Sequence, residues 1–327
     1  MNVLILSVGT RNKIVRYFKA ALNGGRVVTA DADPFAPAGF EADRHFLVPP
    51  VDAPDYPERV LAVCRQERID GVMSLIDLEQ SVLAAHEEQF RQEGVAVIGS
   101  PFPQCELAFD KLAMYRWLAA HGYRCAQTWA GLREFEAALA GGGIGFPVFL
   151  KPVRGSASVG VLTAYDPETV RSAFARRDDL LVQEFLKGQE IGADVYIDMI
   201  SGETVSIFTK KKLRMRAGET DRAVSFRDAR LFALIERFTA EAGFRGPIDI
   251  DLFAVGGEYY ISEVNPRIGG GYPHAHECGC DHVRMILENL RGNVNEKQTG
   301  RYADGIYMMK YSDIVIAEAP QGMSDGV

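Results

Sequence analysis

Short apolar runs alternate with helical segments through the first hundred residues, and this alternation constrains the fold more than any other feature of the sequence. Strands separated by helices in this way form a parallel sheet with helices on both faces. We therefore predict an α/β fold. The predicted strands are Val3–Val8, Arg26–Ala30, Gly71–Ile76 and Val95–Ile98, and the predicted helices are Asn12–Leu22, Pro57–Glu67 and Leu78–Glu93.

The turn after the first predicted strand is a candidate nucleotide site. Gly9-Thr10-Arg11 occupies it, and the N-terminus of a helix binds anions. The Gly-x-Gly-x-x-Gly fingerprint of dinucleotide sites is absent, however, so Asp31 at the end of the second strand is not expected to bind a ribose. We favour a scaffold domain whose strand ends line a shared cleft.

Composition excludes several classes of protein. The chain has 47% hydrophobic residues, a net charge of -8 and five cysteines without disulfide spacing. An acidic chain does not suit broad nucleic-acid binding, and unpaired cysteines suit a reducing compartment. The apolar start MNVLILSVGT lacks a basic region and a cleavage site, and no apolar run approaches the ~20 residues of a membrane helix. We expect a soluble cytoplasmic protein that binds neither nucleic acid nor membrane.

Breaks in the pattern suggest three domains. Gly, Ser and two prolines interrupt the alternation at Gly99–Pro103. We expect residues 1–100 to form the first domain, 101–180 a central domain and 181–327 a C-terminal lobe. Further predicted elements are helices over Asp110–His121 and Glu134–Leu139, final strands over Gly305–Tyr311 and Ile314–Ile316, and a loose tail over Ala319–Val327.

A lysine and a small-residue turn form the first candidate binding segment. The sequence FPVFLKPVRGSASVGV places Lys151 at the end of a buried strand, and Gly155, Ser156, Ser158 and Gly160 follow. Small residues let backbone N–H groups approach an anion, and the lysine supplies a point charge. The turn is not a Walker A loop, because no Gly-Lys-Ser/Thr follows it. The segment is therefore a candidate phosphate site.

The next segment, LVQEFLKGQEIGADVYI, allows two interpretations. Its strand ends at Gln183–Leu186, turns at Lys187-Gly188 and restarts after Glu190. An extended hinge of this kind offers backbone groups to an adenine edge and leaves Glu190 free for ribose hydroxyls. The alternative is an ordinary hairpin with exposed acidic residues, and this segment alone does not decide between them.

Converging oxygen ligands mark the third segment. Asp249 and Asp251 alternate with apolar residues, so both carboxylates lie on one face of a strand. A Gly-Gly turn leads into a second strand that ends in Glu-Val-Asn-Pro-Arg and places Glu263 and Asn265 on one face. An antiparallel pair of this kind brings together the oxygens of Asp251, Glu263 and Asn265. Hard oxygen ligands suit Mg²⁺, or Mn²⁺ in its place, bound together with substrate phosphates.

In this order, Lys111, KPVRGSASVG, QEFLKGQEIGADVYID and DLFAVGGEYYISEVNPR resemble the ATP-grasp superfamily. The resemblance is greatest to single-unit relatives of the carbamoyl phosphate synthase large subunit and to amino-acid ligases, and it runs to at least Gly279. It implies a Rossmann-like domain followed by a two-lobed ATP-grasp domain of the α+β type. The chain has one grasp unit and no glutaminase domain, which puts complete carbamoyl phosphate synthesis in doubt.

The resemblance also implies a role for each matching residue. Lys111 and Lys151 match the lysines that hold the ATP phosphates, and Arg267 matches the arginine facing the transferred phosphate. The metal ligands match Asp251, Glu263 and Asn265. The phosphate flap matches Ser156, Ser158 and Gly160, the adenine hinge matches Gln183, Glu184, Phe185 and Leu186, and the ribose acid matches Glu190.

Two further clusters have competing interpretations. The basic run from Lys210 to Arg216 is more typical of a solvated face than of nucleic-acid binding. The resemblance places it beside the site, where Lys210, Arg214 or Arg216 would reach a phosphate or a carboxylate, and we favour Arg214 as catalytic. The run His274, His276, Cys278 and Cys280 suits zinc in composition but not in spacing, so a substrate pocket or core packing is favoured.

The resemblance implies a ligase that uses Mg-ATP to activate a small carboxylate as an acyl phosphate and passes it to an amine. Phosphorylation of carbamate or a similar acid, without amide formation, is the first alternative. A non-catalytic ATP-binding sensor is the second. The expected partners are a small carboxylate and an amine, and the oligomeric state is open, a homodimer being the commonest closed assembly.

Overall fold

The computed structural model describes residues 1–155, 160–216 and 218–317. Within these ranges the strands form three sheets, of five, six and four strands. The expected α/β fold is confirmed, with a parallel sheet in the N-terminal part and antiparallel sheets in the rest. No helix within the described ranges is both long and apolar enough to cross a bilayer.

The N-terminal sheet is parallel, in the order β3-β2-β1-β4-β5. Its strands are β1 Asn2–Leu6, β2 Arg26–Asp31, β3 Arg44–Leu47, β4 Gly71–Ser74 and β5 Ala96–Val97. The accompanying helices are α1 Asn12–Ala21, α2 Tyr56–Glu67, α3 Asp77–Ala85 and α4 Glu87–Gln92, with a 3₁₀ turn at Pro37–Glu41.

The structure corrects two predictions in this domain. The edge strand β3 was not predicted, because its sequence, RHFL, carries only two apolar residues and is half exposed. The single helix predicted over Leu78–Glu93 is interrupted at His86, where α3 ends and α4 begins.

Both faces of the parallel sheet are covered. Val3 and Ile5 point into a core that includes residues of α1, and Leu4 and Leu6 point into a second core that includes residues of α2. Because neither face is open to solvent, polar groups of this domain reach a ligand only from the strand ends.

Two consecutive helices follow, α5 Phe102–Phe109 and α6 Lys111–Ala120. Of the residues predicted as a boundary, Gly99–Pro101 lie outside helices and strands, and Phe102 and Pro103 begin α5, since proline is tolerated in the first turn of a helix. Asp110 caps α6, its carboxylate accepting from the backbone N–H groups of Leu112 and Ala113 at 3.1 and 2.9 Å. This cap fixes the start of α6 and so the position of its first residue, Lys111.

The four-stranded sheet is antiparallel, in the order β6-β9-β7-β8. Its strands are β6 Thr128–Trp129, β7 Val148–Pro152, β8 Leu162–Ala164 and β9 Leu180–Glu184, with helices α7 Leu132–Ala140 and α8 Pro167–Phe174. Phe135, Val148, Val170 and Val182 form its small core.

The six-stranded sheet has the order β14-β13-β10-β11-β12-β15. Its strands are β10 Gln189–Ile197, β11 Thr204–Arg216, β12 Glu219–Phe226, β13 Gly246–Val255, β14 Glu258–Asn265 and β15 Tyr307–Met309. The helices of this part are α9 Ala229–Ala242, α10 Tyr272–Glu277 and α11 His282–Leu290. One face packs Ile248, Ile250 and Leu252 into a core with residues of α9, so the intervening aspartates lie on the other face.

The C-terminal predictions are only partly met. β15 lies within the predicted strand Gly305–Tyr311, whereas Ile314–Ile316 is exposed chain without strand structure. The predicted tail over Ala319–Val327 lies outside the described residues. The domain division expected after residue 180 falls inside β9, and sheet membership changes between Glu184 and Gln189 instead. We propose that the two lobes divide there.

Candidate active site

A cavity of about 360 Å³ lies where the two antiparallel sheets and the N-terminal domain meet. The predicted site residues that line it are Lys111, Lys151, Gln183, Glu184, Leu186, Glu190, Asp251, Glu263, Asn265 and Arg267. Among the described residues, Gly160, Phe185 and Arg214 are not part of the lining. Ser156 and Ser158, predicted for the flap, lie outside the described residues.

The segment between Glu184 and Gln189 connects two different sheets. β9 pairs with β6 and β7, whereas β10 pairs with β11 and β13. The hairpin interpretation is therefore wrong, and the segment is an extended hinge. Phe185 stacks on Phe149 with ring centroids 4.8 Å apart, which orients the hinge so that Leu186 lines the cavity.

The two lysines extend from different elements toward the same carboxylate. Lys151 Nζ, on β7, donates to Gln183 Oε1 at 2.7 Å, and Gln183 Nε2 in turn donates to Thr128 Oγ1 at 3.0 Å. Lys111 Nζ, at the start of α6, lies 3.5 Å from Glu263 Oε1. Burial lowers the pKa of Lys151, and the carboxylate of Glu263 opposes this shift. A bound anion would therefore favour the charged form of Lys151.

The acidic residues face one another across two paired strands. Asp251 on β13 lies opposite Glu263 on β14, and Asp249 lies opposite Asn265. The β-carbons of such cross-strand neighbours are separated by about 5 Å. The predicted convergence of Asp251, Glu263 and Asn265 thus follows from the strand register.

These oxygens fit a divalent cation shared with phosphate. Burial raises the pKa of Asp249 to about 7, and the negative charges of Asp251 and Asp194 add to the effect. A cation beside these carboxylates would relieve that repulsion. Within the described ranges, no three His, Cys, Asp or Glu side chains are placed to hold a metal alone. Such a donor set suits Mg²⁺, which uses one or two carboxylates and takes its other ligands from phosphates and water.

Lys212 belongs to the site, although the sequence analysis did not select it. Its Nζ donates to Asp251 Oδ1 at 2.6 Å and to Glu190 Oε1 at 3.0 Å. Burial alone would lower the pKa of Lys212, but the carboxylates of Asp251, Glu190 and Asp249 together outweigh it and the pKa is raised. Lys212 reaches Asp251 across β10 at Gly192, where an added β-carbon would lie 3.2 Å from Lys212 Cε. The sequence signal was the alternation of Lys210 and Lys212 on one strand face.

Arg214, predicted as catalytic, is placed elsewhere. Its side chain is 58% exposed, and its Nε lies 3.7 Å from Asp221 Oδ2. The reason is an irregularity in the pairing of β11 with β12, between Lys212 and Met215. A bulge of this kind reverses which side chains face the cavity, so Met215 lines it in place of Arg214. Lys210 is buried and pairs with Asp194, so it is not free to bind a phosphate.

The N-terminal domain contributes Arg11, from the candidate nucleotide turn, and Asp77, which was not predicted. Asp77, at the start of α3, holds Arg267, with Arg267 Nε 3.0 Å from Asp77 Oδ1 and Nη2 donating to Oδ2 at 3.1 Å. Arg11, directly before α1, lies with its Nη2 2.8 Å from Glu219 Oε1. Burial alone would lower the pKa of Arg267, but the carboxylates of Asp77, Asp249 and Glu263 together outweigh it and the pKa is raised. No local sequence signal pointed to Asp77, and Arg11 was predicted only as part of the candidate nucleotide turn Gly9-Thr10-Arg11.

The histidine and cysteine run packs against other elements. His274 Nε2 lies 2.9 Å from the carbonyl oxygen of Ile306, and His276 stacks on Tyr17 with ring centroids 3.6 Å apart. Cys278 and Cys280 are free thiols. In the described part of the chain, no three His, Cys, Asp or Glu side chains of this run are placed to hold one metal ion.

Comparisons with known families cover most of the chain. The profile of the PylC-like N-terminal domain matches residues 3–98, and that of the ATP-grasp domain matches residues 108–271. The second match spans the hinge, both lysines and the acidic strand pair described above.

Curated proteins with similar sequences include a ligase, a synthase and a formate-dependent formyltransferase. The chain is 30% identical over 190 residues to D-alanine--D-alanine ligase of Geobacter sulfurreducens, a match covering 54% of this chain and 60% of that protein. It is 24% identical over 238 residues to the carbamoyl phosphate synthase arginine-specific large chain of Bacillus subtilis, covering 66% of this chain and 22% of that one. The matches thus span less than two thirds of these relatives.

One solved structure illustrates the shared fold. It is the biotin carboxylase domain of Hydrogenobacter thermophilus 2-oxoglutarate carboxylase in complex with MgADP, ADP and bicarbonate. The likeness has a TM-score of 0.73 and 17% identity, and it covers 93% of this chain and 73% of that one. At this identity the likeness concerns the fold.

Proposed function

Because the chain belongs to the ATP-grasp family, we propose that it is a carboxylate–amine ligase that uses Mg-ATP. It would activate a small carboxylate as an acyl phosphate and transfer the acyl group to an amine, with release of ADP and phosphate. One observation carries this proposal: Lys111 and Lys151 face the cross-strand carboxylates Asp251 and Glu263 in a single cavity.

The nucleotide would bind between the hinge and the two lysines. The backbone of Gln183–Leu186 would meet the adenine edge, and Glu190 would accept from the ribose hydroxyls once Lys212 releases it. Lys111 and Lys151 would hold the phosphates, because both are shielded cations at the same end of the cavity. The flap over Ser156, Ser158 and Gly160 stays a prediction.

Asp251, Glu263 and Asn265 would hold Mg²⁺, or Mn²⁺, against the phosphates. The ion would supply charge neutralisation for phosphoryl transfer. In the described structure Lys212 Nζ contacts Asp251 and Lys111 Nζ lies 3.5 Å from Glu263. Both lysines lie close enough to turn to phosphate oxygens once the carboxylates bind the cation.

The chemistry requires positioning and charge stabilisation rather than a protein nucleophile. The oxygen of the substrate carboxylate attacks the γ-phosphorus in line, and the bond from that phosphorus to ADP breaks. Lys111, Lys151 and Arg267 neutralise the charge on the transferred group. The amine nitrogen then attacks the acyl carbon, phosphate leaves, and the nitrogen loses a proton. Asp77 holds Arg267 in position for both steps.

We also propose small molecules as the partners and the cytoplasm as the place of action. All five cysteines are free thiols, which suits a reducing compartment. A homodimer remains our expectation for the assembly because it is the commonest closed form.

The test is release of ADP and phosphate from Mg-ATP with pooled small acids and amines, followed by mass spectrometry of the products. We expect ADP release that needs both an acid and an amine, together with a condensed product. Both should be absent in Glu263→Gln. ADP release that needs bicarbonate or carbamate alone would replace the ligase proposal with carbamate phosphorylation, and tight ATP binding without turnover would replace it with a sensor.

A further inference from the structure

The cavity has two ends with different charged neighbours. The charges around Lys151 are those of Glu263, Lys111, Asp251 and Glu190. This is the end that the proposed function gives to the nucleotide phosphates and the metal.

A separate set of charges surrounds Arg11 at the other end. They are those of Glu219, Arg267, Asp77 and Asp249. Arg11 therefore lies beyond the acidic pair, on the side where the N-terminal domain closes the cavity.

Arg11 belongs to a triad with an excess of positive charge. Its Nη2 lies 2.8 Å from Glu219 Oε1, and Lys310 Nζ donates to Glu219 Oε2 at 2.6 Å. Two cations thus share one carboxylate. Arg267 and Lys210 nearby are each matched by an aspartate, Asp77 and Asp194. The carboxylate of Asp249 is a further negative charge near Arg11.

Backbone packing fixes the carboxylate of the triad. A β-carbon added to Gly270 would lie 2.8 Å from Glu219 Oε1, so Glu219 occupies the space where a side chain would otherwise be. Glu219 is therefore held against the chain and between two cations. The guanidinium of Arg11 has further N–H donors besides Nη2.

One of those donors has no partner. Arg11 Nε is buried and finds no hydrogen-bond acceptor among the described residues. A buried polar group without a partner is uncommon and costs about 1–3 kcal/mol. A guanidinium group binds carboxylates through paired N–H donors. The side chain of Arg11 lines the cavity, so an anionic group of a ligand bound there would pair with this guanidinium and add a negative charge to the triad.

We propose that Arg11 binds a second anionic group, a carboxylate, on the acid substrate, so that the enzyme prefers dicarboxylic acids, including acidic amino acids. This inference rests on the proposed function, which places the carboxylate to be phosphorylated beside Arg267 and the metal ligands. The second carboxylate pairs with the guanidinium of Arg11, whose side chain lines the cavity and is 24% exposed. Arg11 is thus a specificity-determining residue rather than a catalytic one.

The test measures binding rather than turnover, so that it can fail independently of the proposed function. The probes are aspartate against asparagine and glutamate against glutamine, titrated by calorimetry in the presence of Mg²⁺ and a non-hydrolysable ATP analogue. Each pair has the same size and differs by one charge. We expect the acid to bind at least ~10-fold more tightly than its amide in one pair, as a charged hydrogen bond implies.

Three variants test whether Arg11 causes the preference for the acid over its amide. Arg11→Ala should abolish it while leaving the affinity for the ATP analogue unchanged, and Arg11→Lys should retain part of it. Arg91→Ala removes an exposed arginine of the same domain, whose side chain pairs with Glu88, and should behave as wild type. Unchanged binding of the ATP analogue shows that the variants are folded.

Two results would overturn the inference. Equal binding of acid and amide in both pairs, undetectable binding included, would exclude a second carboxylate site. A preference that survives in Arg11→Ala would assign it to another residue. A wild-type protein that shows the preference but releases no ADP with any acid would contradict the proposed ligase while supporting the role of Arg11.

Discussion

The N-terminal sheet and the six-stranded sheet contribute to the same cavity in different ways. The parallel sheet has apolar residues on both faces, with Leu4 in one core and Ile5 in another. Its charged contributions, Arg11 and Asp77, come after strands β1 and β4. The six-stranded sheet has one apolar face and contributes the other face itself, where charged residues alternate along the strands.

The charged residues of the two sheets are therefore positioned in different ways. On the sheet face, hydrogen-bonded register fixes Asp251 against Glu263, whatever the other domain does. At the strand ends, docking of the N-terminal domain decides where Asp77 and Arg11 lie. We therefore expect changes on the face to affect phosphoryl chemistry, and changes at the strand ends to affect substrate selection and the contact between domains.

The largest effect should come from the sheet face. Glu263→Gln removes one of the two carboxylates that would hold the metal, so ADP release should fall by about 100-fold or more. The fold should be retained, since glutamine has the same shape. Steady-state ADP release and thermal unfolding measure the two effects.

Glu258→Gln is the matched control for that variant. Glu258 lies on the same strand, is exposed and pairs with Arg124, so its loss should leave turnover unchanged. Equal turnover in Glu263→Gln and wild type would show that Glu263 on this sheet face does not hold the metal.

The second largest effect should come from Lys151, which lies on the four-stranded sheet and faces the acidic pair. Lys151→Ala should weaken Mg-ATP binding by about 10- to 100-fold, the value of a charged hydrogen bond. Stability should change little. Calorimetric titration with the ATP analogue measures this, and Lys297→Ala, an exposed lysine paired with Glu236, is the control. Wild-type affinity in Lys151→Ala would contradict its phosphate role.

A strand-end variant tests the domain contact. Asp77→Asn removes the charge that holds Arg267, so the free energy of unfolding should fall by about 1–3 kcal/mol and kcat/KM by about 10-fold. Chemical denaturation and ADP release measure these changes. Asp52→Asn, an exposed aspartate of the same domain, should change neither. If Asp77→Asn changes neither quantity, the N-terminal domain does not position Arg267.

The smallest effect should come from Gly192→Ala on β10, because the Lys212 side chain passes over Gly192 to reach Asp251. An alanine β-carbon at Gly192 would lie 3.0 Å from Lys210 Cε and 3.2 Å from Lys212 Cε. Both lysines would shift by a few tenths of an ångström, so KM for Mg-ATP should rise about threefold, corresponding to roughly 0.5–1 kcal/mol.

Gly145→Ala is the control for this variant, because its β-carbon would meet open space. An unchanged KM for Mg-ATP in Gly192→Ala would show that the position of Lys212 over Gly192 does not affect nucleotide binding.

Features with a local repeat could be predicted from the sequence. Residues Asp249 and Asp251 alternate with apolar neighbours, which identified both the strand and its polar face, and the predicted antiparallel pair is confirmed. The same kind of pattern identified the parallel sheet, except for β3. That strand has only four residues, and two of them are charged or polar, so its sequence shows no apolar run. The hinge was recognised as one of two alternatives, and only sheet membership decided between them.

Features that interrupt a local repeat were missed. The irregular pairing after Lys212 turns Arg214 out of the cavity and Met215 into it, and nothing in the basic run announces that irregularity. The prediction of Arg214 as catalytic assumed regular alternation. Lys212 was overlooked because its partner, Asp251, lies two strands away across Gly192.

By itself the sequence determined the sheet face, the two lysines as candidates and the family, because strand alternation and short motifs are local properties. Only the tertiary structure decided which strand ends close the cavity. Asp77 meets Arg267 across 190 residues of chain, and Arg11 meets Glu219 from another domain. Such contacts depend on how separate cores pack together, and no repeat in the sequence records that packing.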